Sequence, residues 1–164
     1  MHFNFSMNLK SMNLKISVSI VLMTLLLGLI SFKPIHKPVD VPGKGIDFIE
    51  ENWRMAREQA KAQNKLIFLD AYTSWCGPCK LLRRNTFPDK NAGEFFNVNF
   101  VNVAVDMEKG YGPALAQQYF VTAYPTLIVT DADGNLVAYT RGYIGPSQLI
   151  EFGRYALARK NSMK

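Results

Sequence analysis

The sequence predicts a layered α/β domain whose central sheet has a parallel part and an antiparallel edge. Three observations carry this. Leu66–Ala71 (LIFLDA) and Phe100–Val105 (FVNVAV) are short apolar runs suited to strands buried on both faces. Stretches of helical character lie before, between and after them. The two runs Thr126–Thr130 and Leu136–Thr140 flank Asp131-Ala132-Asp133-Gly134-Asn135, whose Asp-Gly is a hairpin signal. With 164 residues, 48% hydrophobic and 20% charged, the chain is expected to form one folded domain, not a disordered or fibrous segment.

From the N-terminus, Ile16 to Phe32 holds seventeen residues without a charge, after Lys10 and Lys15 and before Lys33. This reads as a signal peptide or membrane anchor over residues 1–32. The length lies at the short end of a membrane span and above the usual core of an export signal. The lack of a small-residue cleavage site near Ser31 favours an uncleaved anchor. Lys10 and Lys15 would remain cytoplasmic, placing the rest in the periplasm or elsewhere outside the cytoplasm, tethered to the inner membrane if the segment is kept. Ser6-Met7-Asn8-Leu9-Lys10 repeats as Ser11-Met12-Asn13-Leu14-Lys15, so Met7 and Met12 are alternative starts. Residues 33–45, with three prolines and two glycines, read as a linker. Semi-extended at about 3 Å per residue, it would reach roughly 40 Å.

The domain proper is expected over residues 46–164. Asp47 is placed to cap a helix in which Ile49, Trp53, Ala56 and Ala60 form one apolar stripe. Further helices are expected from Cys76 to about Asn85, over Asn91–Asn97, over Pro113–Tyr119 and over Pro146–Lys160. The net charge of +6 is spread among interleaved acids and bases, which argues against a nucleic-acid partner. Both histidines, His2 and His36, precede the domain, so a histidine base or a Cys/His zinc site is not expected within it.

Both cysteines fall in Trp75-Cys76-Gly77-Pro78-Cys79-Lys80, directly after a strand and at the start of a helix. Three residues apart on a helix, their sulfurs can join with small rotations. At the helix start, Cys76 faces unpaired N–H groups that favour thiolate over thiol, so Cys76 is the expected attacking sulfur. Cys79, one turn further in, is suited to resolve a mixed disulfide. Pro78 stiffens the first turn, where its missing N–H has no intrahelical partner. A purely stabilising bridge is disfavoured because the loop it closes is so short. A zinc half-site lacks its two further ligands.

Asp70 ends an apolar strand six residues before Cys76, where an unpaired carboxylate is costly. It is either a proton acceptor for Cys79, its pKa raised by burial, or a hydrogen-bond anchor for the following loop. Tyr124-Pro125-Thr126 precedes the third strand, and its proline bond could take either isomer.

Asp70, Trp75-Cys76-Gly77-Pro78-Cys79-Lys80, Tyr124-Pro125-Thr126 and Gly142, in that order, resemble thioredoxin over roughly Asn64 to Leu157. The resemblance implies a thioredoxin fold, a cis Pro125 facing the cysteines, and an apolar substrate surface of Trp75, Gly77, Pro78, Tyr124 and Gly142. Lys65–Asp70, Thr86-Phe87-Pro88-Asp89 and the Trp53 helix are more similar to extracytoplasmic domains of the DsbD C-terminal type. Two departures stand out: Asn102 aligns with the thioredoxins' buried lysine, and Ala71-Tyr72 with their paired aromatics. The function implied is a protein-disulfide reductase without metal or organic cofactor, acting as a monomer on disulfide-containing proteins. It would be recharged by a separate thiol donor such as a membrane reductase. A disulfide isomerase, an apocytochrome thiol reductase and a non-redox binding module are the alternatives.

Overall fold

The computed structural model describes residues 45–162. The expected signal or anchor at 1–32 and the expected linker at 33–45 lie outside the described residues except at Gly45, which belongs to the domain and not to a free linker. Gly45 is packed against the domain: a Cβ there would come within 2.2 Å of the Phe87 carbonyl oxygen. The next N–H, that of Ile46, donates to the same carbonyl at 2.8 Å.

In chain order the elements are β1 (Ile49–Glu50), α1 (Trp53–Gln63), β2 (Leu66–Tyr72) and α2 (Gly77–Leu81), which runs on as a π-helical turn (Leu82–Thr86). Then come α3 (Lys90–Asn99), β3 (Phe100–Asp106), α4 (Gly112–Gln118), β4 (Thr126–Thr130), β5 (Leu136–Arg141) and α5 (Pro146–Ser162). The five strands form one sheet in the order β1-β3-β2-β4-β5. β1, β3 and β2 are parallel, while β4 and β5 pair antiparallel at the other side. The expected parallel part and antiparallel edge are both present.

One expected boundary is wrong. Asp47 does not cap a helix, and Ile49 is not on one: Ile49 pairs with Val103 as a short edge strand. The chain then turns through Glu51, at φ 52°, and Asn52 caps α1 by accepting a hydrogen bond from the Met55 N–H. Apolar spacing alone cannot separate a two-residue strand from the first turn of a helix. The deciding factor is tertiary, since Asn102 on β3 donates from Nδ2 to the Asp47 carbonyl at 3.2 Å and draws this lead-in onto the sheet.

Successive side chains of β2 alternate between two cores, as strand geometry requires. Leu66 and Phe68 pack with Leu82, Phe87, Phe96, Phe100 and Leu149 on one side. Ile67, Leu69 and Ala71 pack with Ala56, Ala60, Val103 and Leu115 on the other. The first side is an aromatic cluster, with Phe68 to Phe96 centroids 4.6 Å apart and Phe96 stacked on Phe100 at 5.0 Å. Asp70 has the parity of Leu66 and Phe68, and so emerges on the face that α2 covers.

Candidate active site

The end of β2 delivers the chain to the cysteines. After Tyr72 the backbone turns tightly, the Cys76 N–H donating to the Thr73 carbonyl at 3.2 Å. Cys76 is the N-cap of α2, and its Sγ accepts a hydrogen bond from the Cys79 N–H at 3.1 Å. Pro78 occupies the first turn, as expected. Cys76 and Cys79 are joined in a disulfide. Both cysteines are buried, Cys76 3% exposed and Cys79 2%. Gly77 and Pro78, bordering them, are exposed.

Asp70 is buried, 1% exposed, and neither carboxyl oxygen has a hydrogen-bond partner. The anchor reading of this residue is therefore overturned: nothing in the following loop donates to it. Burial pushes its pKa up to about 7, against a downward pull from Arg83 and a smaller upward push from Glu50. A buried carboxyl of that proton affinity can accept and return a proton near neutrality.

The nearest cation is the Arg83 guanidinium, whose Nε lies 4.0 Å from Asp70 Oδ2. Arg83 sits on the π-helical turn that continues α2. Asn102, at the position of the thioredoxins' buried lysine, instead ties β3 to Asp47 and to Asn97 Oδ1. Arg83 was not anticipated, although its place four residues after Cys79 was a usable signal, since such residues share a helix face.

On the outer surface, Trp75 is 62% exposed and meets Tyr124 edge to face, centroids 5.9 Å apart. Its indole Nε1 donates to both Glu108 carboxylate oxygens, at 3.1 and 3.0 Å. Glu108 had no sequence signal, since it lies in the loop after β3. The Tyr124-Pro125 bond is cis. Pro125 is buried, and its carbonyl accepts from the Gly142 N–H at 2.8 Å, Gly142 lying at φ 86°. Thr126 pairs with both Ala71 of β2 and Arg141 of β5. The sheet therefore brings Trp75, Tyr124, Pro125 and Gly142 together at one end, where the chain leaves β2 for Cys76. Among the described residues, no cluster of three His, Cys, Asp or Glu is arranged to hold a metal ion.

Residues 53–157 match the thioredoxin-like domain family. The chain belongs to this family. The thioredoxin-like domain is 30% identical over 99 residues to the thiol:disulfide interchange protein DsbD of Tatumella citrea, a match covering 58% of this chain and 17% of that protein. It therefore spans about a sixth of that relative. A Bacteroides thetaiotaomicron protein solved in solution, provisionally called a disulphide-isomerase, is 37% identical, with TM-score 0.63 over 70% of this chain and 95% of that one. The oxidised C-terminal domain of Neisseria meningitidis DsbD has the same fold at 22% identity, with TM-score 0.53 over 61% of this chain and 88% of that one. The expected thioredoxin fold and its likeness to the DsbD type are both met. The thioredoxin-like domain thus carries a disulfide-oxidoreductase fold with its Cys76–Cys79 pair in place.

Proposed function

We propose that the protein is an extracytoplasmic thiol-disulfide oxidoreductase that reduces protein disulfides. The observation that carries the reading is the Cys76–Cys79 bridge at the head of α2, its Cys76 Sγ receiving the Cys79 N–H, above a sheet face bearing a buried carboxyl without a hydrogen-bond partner. The helix-start amide that meets Sγ in the oxidised pair lies where it can stabilise a thiolate in the reduced one.

In the reduced protein, Cys76 thiolate attacks one sulfur of a substrate disulfide. A mixed disulfide forms on Cys76 and the first substrate thiolate leaves. Cys79 passes its proton to Asp70 and attacks Cys76 Sγ, re-forming the 76–79 bond and expelling the second substrate thiolate. The substrate has gained two electrons and the protein has lost two. A separate dithiol donor returns them, and a membrane reductase of the kind DsbD exemplifies suits that role. Trp75, Gly77, Pro78, Tyr124, Pro125 and Gly142 form the surface on which the substrate chain lies. No metal or organic cofactor is needed, because the sulfur pair itself carries both electrons. The apolar run at 16–32 supports delivery outside the cytoplasm, as signal or as inner-membrane anchor, with a linker from residue 33 that ends before Gly45, which packs on the catalytic domain. The protein acts as a monomer.

Direction is a matter of reduction potential. Thioredoxin lies at about −270 mV and DsbA at about −120 mV, a gap of roughly 7 kcal/mol for two electrons. The test is insulin reduction by the dithiol form against a Cys76→Ser control, together with the potential from glutathione equilibration. Turnover above the control and a potential near the thioredoxin value are expected. A value near that of DsbA makes the protein an oxidase, and turnover no greater than the control makes it a non-redox binding module. The likeness to the Bacteroides protein favours isomerase as the second reading. Reactivation of scrambled ribonuclease at a rate exceeding net disulfide reduction would favour it.

A further inference from the structure

Asp70 has no hydrogen-bond donor, so its proton affinity is governed by burial and by the charges that reach it. Those charges come from two elements packed around it. The Arg83 guanidinium approaches from the π-helical turn, its Nε 4.0 Å from Oδ2. Glu50 comes from edge strand β1 and is ion-paired to Arg83, Oε2 to Nη2 at 3.5 Å. From β2 itself, the Tyr72 ring lies beneath the guanidinium, 4.3 Å from Cζ to the ring centroid. The Tyr72 hydroxyl is turned away into a hydrogen bond with Glu51 Oε1 at 2.8 Å. Arg83 is thus held by a ring on one side and a carboxylate on another, while its Nε edge is directed at the buried acid. The Arg83 side chain is 41% exposed, and it lines a cleft of about 280 Å³ together with Gly45, Ile46, Phe48, Phe87 and Pro88. Its charge therefore lies between solvent and the carboxyl.

We propose that Arg83 is a positioning residue for the redox reaction: clamped by Glu50 and Tyr72, it sets the pH at which Asp70 can take the proton from Cys79. This rests on the role given above to Asp70. The part of Arg83 in the reaction is exerted through the carboxyl alone. An opposite charge at this separation favours the ionised acid, so removing it raises the titration midpoint, whereas removing the Glu50 charge lowers it.

The test follows the Asp70 side-chain carboxyl carbon by NMR through a pH titration of the full-length oxidised protein. The same variants are then assayed for insulin reduction across pH. In Arg83→Gln the Asp70 midpoint is expected to rise by about one pH unit, and the acid limb of the reduction profile to move alkaline with it. Arg83→Lys should restore most of the difference. Glu50→Gln should move both midpoints acid, whereas the rise in Arg83→Gln is the direction that general loosening of the fold, which would hydrate the carboxyl and lower its midpoint, would not produce. An Asp70 midpoint in folded Arg83→Gln that stays in place or falls overturns the proposal. So does a carboxyl that shifts while the reduction profile does not. If Arg83→Gln does not fold, Arg83→Lys and Glu50→Gln decide it, and the proposal fails if Glu50→Gln leaves the Asp70 midpoint unmoved or raises it. The carboxyl titration needs no turnover, so failure of the wild-type protein to reduce insulin would count against the proposed function and not against the coupling of Arg83 to Asp70.

Discussion

In the proposed mechanism Asp70 couples chemistry to stability. Its carboxyl is fully buried, lacks a hydrogen bond and has its pKa raised from 3.8 to about 7. A raised folded-state pKa means that the folded chain holds the proton more tightly than the unfolded one. Stability from this group is therefore fully present below about pH 4, and is lost as pH rises through about 7. Across that window the loss amounts to about 4 kcal/mol. Asp70→Asn, which cannot titrate, should accordingly be close to wild-type stability at pH 4 and exceed it by up to about 4 kcal/mol at pH 8, in urea unfolding at both pH values. The same variant should slow resolution of the mixed disulfide. A stability difference that does not change with pH would contradict the assignment. Asp70 was legible in the sequence because a carboxylate closing an apolar run stands out against its neighbours. Arg83 was not, because its partner lies on another element and the π-helical turn that aims it has no compositional mark. Glu108 was hidden for a similar reason, since its hold on the Trp75 indole exists only once the loop after β3 is folded.

At the scale of elements, the redox helix is supported by the aromatic cluster beneath it. Phe96 is wholly buried between Phe68 and Phe100 and joins α3 to the sheet face that Asp70 shares. Phe96→Ala should cost about 3–5 kcal/mol in urea unfolding. That is a large part of the roughly 5–15 kcal/mol typical of a domain. A cost below about 1 kcal/mol would show that the cluster does not support the fold in this way. Gly153 lets α5 reach the same rings, since a Cβ there would stand 2.6 Å from Phe95 Cε1 and 3.0 Å from Phe96 Cζ. β2 and β3 were readable as strands because their apolar runs are continuous, the mark of burial on both faces. The start of α1 was misread because Ile49 has helical spacing with Trp53, and only pairing to Val103 reveals the edge strand.

For the whole molecule, the sheet order gathers three segments that are distant in sequence. β2 carries the chain to Cys76, the cis Tyr124-Pro125 bond leads into its neighbour β4, and β5 ends beside Gly142, whose N–H holds the Pro125 carbonyl. The motif residues were visible one by one in the sequence, but their convergence was known only through resemblance to thioredoxin. Composition and spacing contain no record of which strand end meets which. The central claim is that Cys76 attacks and Cys79 resolves. Its most direct test is mass spectrometry of the Cys79→Ser and Cys76→Ser variants, each reduced and then exposed to a disulfide-bonded protein. The account predicts a stable mixed disulfide on Cys76 in the first variant and little or no adduct in the second. Equal trapping on Cys79 in the second variant, or no adduct in either, would contradict it.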